Sequence, residues 1–468
     1  MENIRIKEIV EACGGKLLCG DENKQIKDFS IDSREGNEDS IFVPIIGERV
    51  DAHRFINGAL ELNGATFTSE HDSASGEKPW IRVDDTVDAM QKVGTYYRNR
   101  LDLPVVAVTG SVGKTTTREM IASVLASQKK VFQTRGNQNS QIGVPLTLAH
   151  MTGEDDVAVL EIGMSERGQI EKLTGMIRPN IAVVTVIGVS HIAQLKSQEN
   201  ICQEKMDIIK GLPADGKVFL NGDDPFLAPY AGKLDYETWF YGMGENCDYR
   251  AEDFHFSGGK SRFTFVYKEQ GQEKRIPVTL GSLGEHNVRN SLAGLGIAHQ
   301  MGLDMELACQ SLKAFQGQRL NRYDLTSCIL LDDAYNASPD SMKASIKVLS
   351  EMEGVSGRRI AGLADMLELG ENEKEYHYET GRFIAGTDID EVAAYGPLAR
   401  EILRGVEDAM AEKNVMEEDR ITLRHFETRE ELEQYLLDTV QPGDALLLKG
   451  SNGMKLSAIA STLKDREA

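Results

Sequence analysis

The chain has 468 residues, of which 52 are lysine or arginine and 74 are aspartate or glutamate, a formal charge of -22 at pH 7. Such a length exceeds one hydrophobic core and predicts about two to four α/β-sized domains, while the acidic excess disfavours long-range attraction to nucleic acid or an anionic bilayer, so an anionic substrate has to meet a locally basic site. No run of about 18 uncharged apolar residues occurs, which argues against membrane insertion, and the N-terminus lacks a signal-peptide core; Cys13, Cys19, Cys202, Cys247, Cys309 and Cys328 show no metal-ligand spacing, as expected of free thiols in a cytoplasmic protein.

Residues 1–98 mix short strands and helices, with IFVPIIG at 41–47 reading as a strand and FINGALELNG at 55–64 as a helix ending on glycine. The stretch closes at YYRNRLDLP. Residues 99–317 then alternate strand and helix: VVAVTG, TTREMIASVLAS, VAVLEIG, GQIEKLTGMI, IAVVTVIG, NICQEKMDIIKGL. That alternation predicts a doubly wound parallel sheet. An insertion at 236–280 reads as antiparallel strands joined by glycine turns, followed by a helix at NVRNSLAGLGIAHQMG. A second alternating series begins near 328 and runs from CILLDDAY to DALLLKG, a Rossmann-like domain over 318–468. No G-x-G-x-x-G follows a strand in either series, which weighs against a dinucleotide site.

Within the first series, LPVVAVTGSVGKTTT at 103–117 runs an apolar strand into a glycine-bracketed turn. Gly110 and Gly113, on either side of Ser111, allow the backbone close to an oxyanion, and the first helical turn aims N–H donors at it. Lys114 adds a cation, Thr115 is placed for Mg²⁺, and Thr116 follows it on the same turn. ATP is the predicted ligand. Val108 stands where the commonest phosphate-loop pattern has glycine, so a narrower class of ATP-using protein is indicated. Because ligands in open α/β sheets bind beyond the carboxyl ends of the strands, Glu161 at the end of VAVLEIG and His191 after IAVVTVIG are candidate metal ligands, the histidine suiting a second site. Lys205, flanked by Glu204 and Asp207 on a helix that Ser197 begins, reads locally as a solvated lysine. Asp332 and Asp333 close an apolar strand, with Ser338 as cap and Pro339 opening the next helix.

The motifs IDSREGNEDSIFVPIIGERVDAHRFI, VTGSVGKTTTREM, RGNQNSQIGVPLTL, LEIGMSERGQI, EHNVRNSLAG, LDDAYNASPDSM, ADMLELG and LLKGSNGMKL, in that order and over nearly the whole chain, resemble the Mur ligases. The resemblance implies three domains: 1–98 for a UDP-sugar, 99–317 for ATP, and a closing Rossmann-like domain at 318–468. It implies ATP-dependent amide ligation through an acyl phosphate, in the members most similar to this chain between UDP-N-acetylmuramoyl-tripeptide and D-alanyl-D-alanine, by a cytoplasmic monomer. By the same resemblance Lys114 holds the β and γ phosphates, Thr115 and Glu161 bind one Mg²⁺ and His191 a second, and Lys205 is carbamylated to an oxygen ligand. Asn287 and Asn290 face the adenine, and Arg319 and Asp333 grip nucleotide. Ser33 and Arg34 face the UDP-sugar, with Asn137, Asn139, Tyr335 and Asn336 as further substrate positions. Three loops depart from the family pattern: Ser140 and Gln141 replace an asparagine and a glutamate, Ala193 an acid, and Asn452 an arginine. These substrate-facing changes leave open a paralogue that adds a different amine.

Overall fold

The computed structural model describes residues 1–317, 319–416 and 420–466; Gln318, at the expected start of the third domain, lies outside them. The chain divides into two compact units, one of Met1–Thr109, Lys129–Val183 and Met206–Val218, the other of Gly110–Gln128, Val184–Lys205 and Phe219–Ala468.

In the first unit, a five-stranded sheet has the order Lys16–Cys19, Trp80–Arg82, Ala65–Thr68, Ser40–Phe42, Asp28–Ser30. The strand expected at 41–47 is only Ser40–Phe42, because Pro44 has no N–H to continue a ladder. Ile4–Arg5 and Gln25–Ile26 pair antiparallel, and four further strands of this unit are ordered Ile181–Val184, Val105–Thr109, Val157–Glu161, Val131–Gln133, the last three pairing parallel. Val105–Thr109 and Val157–Glu161 are buried along their whole length, as strands covered on both faces must be. The helix Thr86–Arg98 packs on a helix the sequence reading missed, Gly143–Ala149: a Cβ on Gly94 would lie 3.3 Å from the Pro145 Cα. Ile6, Ile41, Phe67, Val93, Leu146 and Ala149 share one core there.

In the second unit, the helix Lys114–Ala126 lies so close to Glu285–Gln300 that a Cβ on Gly294 would sit 3.2 Å from the Ile121 Cα. The insertion strands Glu237–Gly242, Tyr249–Ser257, Lys260–Glu269 and Gln272–Leu280 are neighbours in that order. The last three pair antiparallel as expected, but the first pair is parallel, Tyr241 facing Tyr249. The intervening loop folds back because Asp223 accepts the Met243 and Gly244 N–H groups at 2.7 and 2.9 Å, returning the chain alongside Tyr241 in the same direction.

A six-stranded sheet completes this unit, ordered Asn321–Asp324, Ile329–Asp333, Ala445–Lys449, Arg359–Ala364, Glu391–Tyr395, Thr422–Phe426, parallel except for its first strand. Pro339–Ser350, Glu373–Ile384 and Ala399–Glu412 bury Met342, Ile384 and Ile402 against one face. Arg429–Thr439 and Leu456–Asp465 bury Leu436 and Ile459 against the other. Ser338 caps its helix with Pro339 behind it, as the sequence predicts.

The helices Glu373–Ile384 and Ala399–Glu412 meet backbone to backbone: a Cβ on Gly381 would fall 1.9 Å from the Ile402 carbonyl oxygen. Gly381→Ala is therefore expected to destabilise the protein by about 1–3 kcal/mol through overpacking, outweighing a helix-propensity gain of up to about 1 kcal/mol. A lower denaturation midpoint for Gly381→Ala than for wild type is the expected reading; an unchanged or raised one would show that the helices separate without cost.

Candidate active site

The loop after Val105–Thr109 has the shape its glycines require. Gly110 has φ +152°, and a Cβ there would stand 1.9 Å from the Thr185 Oγ1, which donates to the Val112 carbonyl at 2.6 Å. Gly113, at φ +85°, opens the helix Lys114–Ala126 and would place a Cβ 3.1 Å from the Asn290 Oδ1. No other residue fits either position without displacing a neighbour. The Ser111 N–H donates to the Val186 carbonyl at 2.7 Å, and Lys114 Nζ donates to the Gly110 and Ser111 carbonyls at 2.9 and 3.3 Å. The lysine is thus lodged on the floor of the turn, and Thr115 and the buried Thr116 follow on its first helical turn.

The same unit brings His191 and Lys205 into the electrostatic range of Lys114. His191 takes the left-handed conformation, φ +64°, at the start of a short helix. Burial, with the charges of Lys205 and Lys114 added to it, pushes its imidazole down to about 4, so the ring is neutral at pH 7 and keeps a lone pair for a metal. Lys205 overturns its local reading. It is 1 % exposed, among the most enclosed long side chains of the molecule, and no ion pair or side-chain hydrogen bond to its amine exists among the described residues. Burial and, next, the charge of Lys114 pull its ammonium well below the ordinary lysine range.

Asn287 and Asn290 are buried on Glu285–Gln300. The first donates to Ser282 Oγ and the Leu283 carbonyl at 2.8 and 2.7 Å. The Arg319 guanidinium lies 4.8 Å over the Tyr335 ring, uniting two candidates 16 positions apart in the chain. Asp333 has a partner that the sequence reading missed. Lys449 stands opposite it in the parallel ladder, and its Nζ reaches Asp333 Oδ2 at 2.5 Å and the Asn336 carbonyl at 3.1 Å. Ser345 donates to the same carboxylate oxygen at 2.6 Å. Its signal is a lysine closing an otherwise apolar strand, ALLLK. Ala193 packs on the Gly370 turn, where a Cβ on Gly370 would come within 3.0 Å of the Ala193 Cβ. Asn452 opens the turn Asn452–Met454.

In the other unit, Glu161 is 2 % exposed at its strand end, where its Oε1 accepts from Asn139 Nδ2 at 2.7 Å and its N–H donates to Thr134 Oγ1 at 3.0 Å. Asn137 is exposed, and its carbonyl accepts the Asn139 N–H at 2.7 Å. The departing residues of this loop have local work: Ser140 Oγ accepts from the Gly143 N–H at 3.3 Å where the helix Gly143–Ala149 begins, and the Gln141 carbonyl accepts from Gln91 Nε2 at 2.9 Å. Ser33 and Arg34 lie in the loop after Asp28–Ser30, where Arg34 is engaged with Asp32 at 2.6 Å and holds that carboxyl down to about 2. Neither makes a hydrogen bond or ion pair with Asn137, Asn139 or Glu161 among the described residues of this unit.

The sequence pattern of the Mur ligase middle domain matches residues 108–298, and that of the Mur ligase glutamate ligase domain matches 318–452. UDP-N-acetylmuramoyl-tripeptide–D-alanyl-D-alanine ligase of Bacillus subtilis (strain 168) is 36% identical over 464 residues, 98% of each chain. The protein of that name from Escherichia coli (strain K12) is 29% identical over 89% of this chain and 91% of its own. Among solved structures, MurF from Acinetobacter baumannii superposes with a TM-score of 0.87 at 28% identity, over 98% of each chain. MurF ligase from Thermotoga maritima in complex with ADP gives 0.80 at 26% identity, over 94% of this chain and 98% of that one.

Proposed function

The chain belongs to the Mur ligase family, and from that membership we propose that it joins D-alanyl-D-alanine to UDP-N-acetylmuramoyl-tripeptide with conversion of ATP to ADP, as a cytoplasmic step of peptidoglycan precursor synthesis. The observation that carries the proposal is the glycine-bound loop with Lys114 on its floor, in a chain that stays 36% identical to such a ligase along 98% of its length. No disulfide joins the six cysteines among the described residues, which agrees with a reducing compartment, and no helix among the described residues is long and apolar enough to cross a membrane.

A carboxylate does not condense with an amine at neutral pH, because oxide would have to leave. In the proposed reaction a carboxylate oxygen of the acceptor attacks the γ-phosphorus and ADP departs. The amine then attacks the acyl carbon, inorganic phosphate leaves, and the amine gives up its proton. Lys114 supplies a fixed positive charge beside the transferring phosphoryl group. Asn287, Asn290, Arg319 and Asp333 are assigned to the nucleotide, and Ser33, Arg34, Asn137, Asn139, Tyr335 and Asn336 to the other substrates.

The hydroxyl of Thr115, the carboxylate of Glu161 and the neutral imidazole of His191 suit Mg²⁺, the first two at one site and the histidine at another. Bound there, Mg²⁺ would offset the charge of the phosphate oxygens. Carbamylation of Lys205 requires an unprotonated amine, whose lone pair bonds to the carbon of CO₂ as a proton is lost; burial beside a second cation favours that amine. The three domains of the proposal are 1–98, 99–317 and 318–468.

Incubation with ATP, Mg²⁺, UDP-N-acetylmuramoyl-tripeptide and a panel of amines tests the assignment. D-Alanyl-D-alanine is expected to give the amide product with one ADP per bond. Ser140, Gln141, Ala193 and Asn452 favour a second reading, a ligase for a different amine, and a product formed only with another member of the panel would replace the first reading by that one.

A further inference from the structure

The unit that holds Glu161 carries a polar cavity that nothing in the proposed reaction uses. It measures about 860 Å³ and opens at the amino-terminal ends of two parallel strands: Leu103 and Pro104, just before Val105–Thr109, and Asn180, just before Ile181–Val184, are in its wall. Asn180 ties the strands together there, its Oδ1 accepting the Val105 N–H at 2.9 Å and its own N–H donating to the Val105 carbonyl at 2.8 Å. Ligands of open α/β sheets sit at the opposite, carboxyl ends.

In a chain of charge -22, this wall carries Arg98, Arg100, Arg178 and Lys210 against one acid, Asp102. Two of the cations are already matched: Arg100 pairs with Glu8 at 2.7 Å, and Lys210 with Glu171 and Asp207 at 2.7 and 3.0 Å. Arg98 and Arg178 are not. Arg98 is 6 % exposed. Its guanidinium donates only to main-chain carbonyls, those of Ile177, Leu101, Leu103 and Arg178, at 2.8 to 3.3 Å. Those bonds satisfy its N–H groups but include no carboxylate, and Asp102 acts on it only from beyond ion-pairing distance. Arg178, exposed and in the left-handed conformation at φ +48°, donates to Asn99 Oδ1 at 2.9 Å. Neither guanidinium has a carboxylate within ion-pairing distance among the described residues; burial and then the Arg178 charge lower the proton affinity of Arg98, against a smaller opposing pull from Asp102.

A buried guanidinium without a paired carboxylate, held beside a second one at a roomy polar opening, is an arrangement that an anion relieves. The planar forks of arginine match phosphate oxygens. We propose that this cavity binds a small phosphate-bearing anion, with Arg178 as the residue that contacts it and Arg98 as the fixed charge behind.

Pyrophosphate is the probe, titrated calorimetrically into the full-length chain. Since the phosphate loop also takes phosphates, the titration uses Lys114→Ala, with saturating ADP on the wild type as the parallel arm. Both arms are expected to keep one pyrophosphate site, and adding Arg178→Ala to Lys114→Ala should weaken it about tenfold or more, with Arg178→Lys restoring part of the loss. The exposed position of Arg178 keeps the fold out of the comparison, which matched melting curves verify. Loss of all pyrophosphate binding in Lys114→Ala, or an affinity that Arg178→Ala leaves unchanged, would overturn the proposal. Amide-bond activity is no part of this readout, so the site and the ligase assignment stand or fall separately.

Discussion

Lys114→Ala is expected to abolish ADP release that depends on acceptor and amine, a loss on the order of 10³-fold or more in kcat. The turn itself should survive. Its path is set by Gly110 and Gly113 and by the Thr185 hydroxyl on the Val112 carbonyl, while Lys114 Nζ contributes contacts to two carbonyls on the loop floor. The variant should therefore fold and show the wild-type circular dichroism, yet leave the transferring phosphoryl group without its fixed cation. Turnover at the wild-type rate in a folded Lys114→Ala protein would remove the loop from the reaction.

The second large effect concerns Lys205. A fully buried amine with no carboxylate partner weakens the fold, so Lys205→Met, close in volume and apolar, is expected to keep or raise stability while lowering activity by about 100-fold or more. The pH dependence has a definite sign. With the folded-state pKa below the unfolded value of about 10.4, the unfolded chain binds more protons between the two values, and stability rises with pH across that window. Denaturation midpoints from pH 7 to 10 should thus climb more steeply in wild type than in Lys205→Met. Under CO₂-depleted buffer wild-type activity should fall and bicarbonate should restore it, with no such response in the variant. Equal pH slopes, or full activity in Lys205→Met, would contradict the assignment.

The contrast between these two lysines shows what the sequence could reveal. The placement of Lys114 is legible because it is set locally: a strand, two glycines and a helix start fix the loop within about ten residues. The same holds for Ser338 and Pro339 at their helix and for Glu161 at a strand end. Lys205 is not legible from its surroundings, since Glu204 and Asp207 beside it suggest a solvated helix face and its burial comes from tertiary packing. The match to the family motif singled it out instead. Lys449 escaped for a related reason. Its partner Asp333 is 116 residues away, and only the parallel register sets the two side by side. The helix Gly143–Ala149 was hidden in a polar-led motif with proline inside, and the parallel return of Tyr249–Ser257 depends on Asp223 reaching a distant loop, which no periodicity encodes.

Oxygen transfer probes the central claim, that the acceptor carboxylate is activated by the γ-phosphoryl group, more directly than any variant. With ¹⁸O in both oxygens of the acceptor carboxylate, one labelled oxygen should appear in inorganic phosphate and the other in the amide for every bond made. Phosphate free of label alongside a labelled product would mean that the carboxylate never attacked phosphorus, and the acyl-phosphate route would be wrong.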